Sequence, residues 1–168
     1  MFYFNNSFGG VFLKVKDLMT KKVITIDKYE SIKKACEKLI DNDIGLLVIT
    51  NEKREVIGVI TDRDIMVRLV AKSDTLEKNV DDIMTHSAIT IDKDDDITEA
   101  LAKMKDYQLR RLPVINKKME LVGIITLSDL SICKQTNELI NDLMYELSLP
   151  NPQKEKPLKY LRADDFPL

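Results

Sequence analysis

The stretch Val56-Ile57-Gly58-Val59-Ile60-Thr61-Asp62-Arg63-Asp64 returns, 65 positions later, as Leu121-Val122-Gly123-Ile124-Ile125-Thr126-Leu127-Ser128-Asp129. Working outward from it, the chain overlays itself at that offset without a gap. Residues 15–65 fall on 80–130, and 21 of those 51 positions are identical. Asp17 meets Asp82, Met19 meets Met84, Thr20 meets Thr85, and Ile24-Thr25-Ile26-Asp27-Lys28 meets Ile89-Thr90-Ile91-Asp92-Lys93. Matching of this density is a duplication. Two copies are too few for a solenoid, so they are expected to pack on each other.

Each copy reads by its hydrophobic period. Residues 23–26 are short and β-branched and predict a strand. Ile32, Ala35, Cys36, Leu39 and Ile40 recur at three and four and predict a helix, with Ile97, Ala100, Leu101 and Met104 as the twin set. Glu30, Asp95 and Asp96 stand where caps and the helix dipole favour acids. Residues 46–49 and 56–61 predict strands around a polar turn at 51–54. A second helix follows over 62–70, with Ile65, Met66, Leu69 and Val70 on one face. A copy of about 50 residues cannot bury enough surface alone, so the two sheets should share a core. The expected fold is α/β (α+β): two pseudo-symmetric β-α-β-β-α repeats packed as one module, plus a C-terminal helix. The expected boundaries are an arm at 1–14, repeats at 15–70 and 80–132, a linker at 71–79, and a helix and tail at 133–168.

Composition narrows the function. Across 168 residues, 26 Lys and Arg face 28 Asp and Glu, a net charge of −2, so no global field attracts a polyanion and nucleic acid is not an expected partner. No apolar run approaches the roughly 20 residues of a membrane span. The N-terminus lacks the basic lead and apolar core of a signal peptide, which points to the cytoplasm and away from the membrane. Cys36 and Cys133 lie far apart and give neither a disulfide framework nor a metal knuckle, and His86 is the one histidine. No metal is expected. An enzyme is the least supported class, since no nucleophile–base pair, metal cluster or glycine-rich phosphate loop is visible.

Gly58, Thr61 and Asp64 recur as Gly123, Thr126 and Asp129. Each Thr ends an apolar strand and can cap the helix that follows. The free N–H groups of a helix start favour a phosphate or ribose oxygen. The Asp three residues on can accept two hydrogen bonds at once, which suits the vicinal hydroxyls of a ribose. The alternative is that both acids serve only the helix dipole. Gln108-Leu109-Arg110-Arg111-Leu112-Pro113-Val114 brings two arginines to the start of a strand. Arginine grips phosphate with a planar fork, although a solvated strand end would look the same.

These features together resemble the CBS motif, named for cystathionine β-synthase, present as a tandem pair. The Asp17-to-Thr20 lead and its echo Asp82-Ile83-Met84-Thr85 carry the resemblance. So do the Ile-Thr-Ile strand, the Ala-centred helix and the two quoted endings. The resemblance implies one pseudo-symmetric unit with two clefts between the sheets. Such clefts often take adenosine-containing ligands such as AMP, ADP, ATP or S-adenosylmethionine, and occupancy regulates a protein partner. It also implies a homodimer formed through the helices. Carried over, Arg111 with Arg110 serves the cleft built on Thr61 and Asp64. Arg63 adds a phosphate contact or is a plain surface-helix arginine. The matching places in the first copy, Leu46 and Gly45, carry no charge. The cleft on Thr126 and Asp129 therefore lacks that partner, and the Asp64 cleft is the better phosphate site. The adenine is expected against backbone near Ile24 and Ile26 and near Ala88 and Ile89. With no Trp and 6% aromatic residues, base stacking is not an obvious mode. His86 would stand at a cleft mouth, or be a plain surface histidine. The competing reading is a ligand-free, dimerising interaction scaffold.

Neither end belongs to the repeat. Leu139, Ile140, Leu143, Met144 and Leu147 predict an amphipathic helix over 131–148, ended by Pro150 and Pro152. The charged tail 153–168 is expected to be extended. Phe2, Tyr3, Phe4, Phe8 and Phe12 are expected to be buried, against a partner subunit if not against this one.

Overall fold

In a computed structural model, residues 13–131 and 137–148 are described. The aromatic arm and the charged tail lie outside them. The elements are α1 (Val15–Leu18), β1 (Thr25–Ile26), α2 (Ile32–Asp41), β2 (Leu46–Thr50), β3 (Val56–Thr61), α3 (Asp62–Arg68), β4 (Thr85–His86), β5 (Ile91–Asp92), α4 (Ile97–Asp106), β6 (Arg111–Ile115), β7 (Leu121–Thr126), α5 (Leu127–Ser131) and α6 (Asn137–Ser148). Single 3-10 turns occupy Val70–Lys72 and Val80–Asp82. Among the described residues no helix is long and apolar enough to cross a membrane.

The strands form two sheets, ordered β1-β2-β3-β4 and β5-β6-β7. In each, a short first strand runs parallel to the second, and the second pairs antiparallel with the third. The first strands are two residues long, shorter than the periodicity predicts. In the second copy the central strand has Pro113 where the first has Val48. Val48 N–H reaches Ile24 carbonyl oxygen at 3.5 Å, and proline has no N–H to offer at its own position.

The sequence did not reveal the two repeats' exchange of leading segments. Strand β4, from the lead of the second copy, closes the first copy's sheet by pairing Thr85 with Val59 and His86 with Gly58. Reciprocally, Thr20 of the first lead bridges Ile124 of the second sheet through two 2.9 Å backbone hydrogen bonds. The exchange continues upstream. Val15 N–H donates to Asp95 carbonyl oxygen (3.0 Å), and Val80 N–H donates to Glu30 carbonyl oxygen (2.9 Å). Lys16 Nζ also meets Asp94 Oδ1 of the other copy at 2.8 Å, an exposed pair that holds the Asp94 carboxyl below its usual range.

The cores follow the exchange. Val15 is buried with Ile91, Ala100, Leu112 and Ile125 of the second copy, while Val80, Ile83 and Met84 are buried with Ile32, Leu47 and Ile60 of the first. A third cluster of Leu46, Val48 and Leu121, flanked by Val23, Val56, Val59 and Ile124, joins the sheets. The two hairpin ends meet there too, where Leu121 N–H donates to Arg54 carbonyl oxygen at 2.8 Å and Glu55 bridges Glu120.

Local chemistry sets the helix ends. Ser31 caps α2 by accepting from Lys34 N–H at 3.2 Å, and Asp96 caps α4 by accepting from Thr98 N–H at 3.0 Å. Glu30 and Asp95 are not the caps; each stands one residue too early, and Asp95 instead accepts from Asp92 N–H. Ile40, Met66 and Val70, expected on buried faces, are 78%, 59% and 50% exposed. In the short α3, Ile65 and Leu69 form the inward stripe, and residues one step further on turn away from it. Helix α6 lays buried Ile140 and Leu143 against the core of the second copy, with Leu147 packed beside them and Met144 exposed.

Candidate functional site

Strand β3 delivers Thr61 to the start of α3, and the hydroxyl caps that helix as expected. Thr61 Oγ1 accepts from Asp64 N–H at 3.1 Å, and Asp64 Oδ2 accepts from Thr61 N–H at 3.0 Å and from its hydroxyl at 2.6 Å. The second copy repeats this, with Asp129 Oδ2 accepting from Thr126 N–H at 2.8 Å and from its hydroxyl at 2.7 Å. A reciprocal capping box stabilises each helix start. It also consumes the amides that the sequence reading offered to a ligand. In the first copy Asp62 Oδ1 takes Arg63 N–H at 2.7 Å, and in the second Arg110 carbonyl oxygen takes Leu127 N–H at 2.8 Å. At the start of α3 the Arg63 and Asp64 amides are thus taken by the side chains of Asp62 and Thr61.

The two carboxylates differ in what remains. Asp64 Oδ1 pairs with Arg68 Nη2 at 3.3 Å, and Arg68 also donates to Ile83 carbonyl oxygen at 2.8 Å. The position matching Arg68 is Cys133, outside the described residues. Among the described residues Asp129 Oδ1 has no partner, so the second copy holds the less committed carboxylate. The motif alone does not rank them this way, because the Arg68 pairing follows from one turn of helix beyond it.

Arg111 reaches across to the other copy. Its Nη1 lies 3.3 Å from the point where a Cβ on Gly45 would stand, and Asp62 Oδ2 lies 3.3 Å from the same point. Arg111, Gly45 and Asp62 line an open cleft of about 500 Å3 with Leu39, Ile40, Asp43 and Ile44. The structure therefore brings Arg111 to the first turn of the helix that carries Asp64. Arg110 and Arg63 are exposed, and no hydrogen bond places the side chain of either in this cleft. Asp62 is a member of the cleft that the sequence reading passed over, and Gly45 drew notice there only as the uncharged match of Arg110.

The expected adenine positions divide. Ile26 is 3% exposed and belongs to the core, so only its backbone is available. Ile24 and Ile89 are partly buried against the two cores, and Ala88 is half-buried in the link between β4 and β5. His86 is exposed on the edge strand opposite Gly58. Among the described residues no group of three or more His, Cys, Asp or Glu could hold a metal ion.

Comparison with known proteins agrees with this architecture. The family model for the CBS domain matches twice, at residues 15–71 and 80–132. The uncharacterized protein YlbB of Bacillus subtilis is 33% identical over 143 residues, covering 84% of this chain and 96% of its own. The crystal structure of the CBS domain pair of protein MJ0100, in complex with 5′-methylthioadenosine and S-adenosyl-L-methionine, superposes with a TM-score of 0.65 at 32% identity, covering 71% of this chain and 98% of that one. The CBS domain protein PAE2072 from Pyrobaculum aerophilum, complexed with AMP, gives 0.68 at 25% identity, covering 79% and 99%. A matched family model in each half, with the two halves exchanging their leading segments, makes this chain a member of the CBS domain family, carrying the domain as a tandem pair.

Proposed function

We propose that the pair is a regulatory module that binds an adenosine-containing small molecule in the cleft between its repeats and passes the occupancy to a protein partner or to its own assembly. The observation that carries the reading is the placement of Arg111. A guanidinium from one repeat enters an open cleft beside the Thr61–Asp64 turn of the other, a natural place for an anionic ligand group whose ribose meets the carboxylate. The adenosine compounds held by MJ0100 and PAE2072 support the choice of ligand class. AMP, ADP, ATP and S-adenosylmethionine are the candidates. A homodimer through the helices fits the exposed Met66, Val67 and Val70 on and after α3.

One observation favours a second reading. Asp64 is fully engaged by Thr61 and Arg68, as it would be in a scaffold whose clefts stay empty. The Arg68 side chain is 41% exposed and that of Asp64 16%, so a ribose has to displace a partly buried pair to reach that oxygen. Thermal unfolding with AMP, ADP, ATP, S-adenosylmethionine and NADH separates the readings. A ligand present at 100 times its dissociation constant adds about 2.7 kcal/mol of stability. The ligand-induced shift should fall further in Asp64→Ala than in Asp129→Ala. No shift with any compound supports the scaffold, and the reverse ranking moves the site to the Asp129 cleft.

A further inference from the structure

The notch at Gly45 has a feature that Arg111 alone does not explain. An acid stands across from the arginine, both 3.3 Å from the one point where a side chain would begin. They do not form an ion pair within 4.0 Å, and among the described residues neither Arg111 nor Asp62 Oδ2 has a hydrogen-bonded partner. The glycine between them is not needed for the backbone, because no glycine of the described residues has a positive φ. What Gly45 contributes is space. In the duplicate copy the matching positions are Arg110 for Gly45, Leu127 for Asp62 and Leu46 for Arg111. The charge pair and the gap between its members therefore belong to one cleft alone.

We infer that Asp62, Arg111 and Gly45 form a charge filter that selects an adenosine ligand whose 5′ tail is zwitterionic, with a carboxylate for Arg111 and an ammonium group for Asp62. This rests on the reading that the cleft takes an adenosine compound. A phosphate monoester carries about −1.5 to −2 charges at neutral pH, and its attraction to Arg111 is opposed by Asp62 and by Asp43, which lines the same cleft. An amino-acid tail meets both groups with opposite charges and leaves neither uncompensated. Asp62 is thus a specificity-determining residue, and its carboxylate turns a general anion site into one that discriminates by charge pattern.

Calorimetric titration of wild type and Asp62→Asn in metal-free buffer tests the filter, with 5′-methylthioadenosine, S-adenosyl-L-homocysteine (a neutral thioether with a zwitterionic tail) and AMP as probes. The substitution keeps size and lies on an exposed first turn, so folding is retained. Wild type should prefer S-adenosyl-L-homocysteine to AMP. In Asp62→Asn the ratio of the two affinities should move about tenfold toward AMP, while the uncharged-tail probe binds as before. A ratio unchanged within about twofold, with 5′-methylthioadenosine still bound, overturns the filter and leaves the adenosine reading standing. Failure of all three probes to bind wild type overturns the adenosine reading and the filter with it.

Discussion

Gly58 and Gly123 sit in the middle of strands, where glycine weakens a sheet unless another backbone comes close. Here one does. A Cβ on Gly58 would stand 2.7 Å from Thr85 carbonyl oxygen, and a Cβ on Gly123 would stand 2.5 Å from Met19 Sδ and 3.1 Å from Thr20 carbonyl oxygen. The obstacle at Gly58 is backbone, whereas the nearest one at Gly123 is a flexible methionine. Gly58→Ala should therefore cost about 2–3 kcal/mol and Gly123→Ala about 1 kcal/mol, read from urea unfolding midpoints. A Gly58→Ala protein as stable as wild type would contradict the close approach. The duplicated glycines were plain in the sequence, but only as members of the Gly-x-x-x-Thr-x-x-Asp motif. What crosses could not be read, because the visiting segment has the wrong length and period for a strand of its own: β4 is two residues long. Near the cleft, the capping of α3 by Thr61 was legible from the motif's spacing. Asp62 was not, because its role depends on an arginine 49 positions away in the chain.

Among the elements, the central hairpins and the long helices α2 and α4 were legible, since each repeats its apolar period over enough residues to be unmistakable. The short first strands were not, because two residues cannot display a period. Helix α6 illustrates the opposite case. Its three-and-four spacing predicts amphipathicity, and the structure spends the apolar face on the second copy, burying Leu143 to 2% exposure. The first copy has no such cover among the described residues on α2 and α3, where Ile40 and Met66 stay exposed. The apparent symmetry of the repeats therefore ends at their outer helices. Leu143→Ala should cost about 2–4 kcal/mol, while Tyr145→Ala, on the exposed side, should stay within about 0.5 kcal/mol. Equal effects in chemical denaturation would show that α6 does not dock as described.

At the scale of the whole molecule, the exchange of leads makes the duplication one folding unit. Val80, Ile83 and Met84 complete the first copy's core, and Val15 completes the second's. A chain cut within 73–79 should give two halves that are each unfolded by circular dichroism and that regain structure when mixed. A half that unfolds cooperatively on its own would contradict the shared core. The same interlocking places Arg111 of one repeat beside the Thr61–Asp64 turn of the other. A ligand held by both would clamp the repeats together, and binding can shift the molecule only by preferring one arrangement of them. The most direct test of that claim follows the Thr61 amide and the Arg111 Nε–H signal in two-dimensional NMR during titration with S-adenosyl-L-methionine or AMP. Both signals are predicted to move along one saturation curve with a single dissociation constant. Saturation that moves neither signal, or that moves one of them alone, would contradict a cleft shared between the repeats.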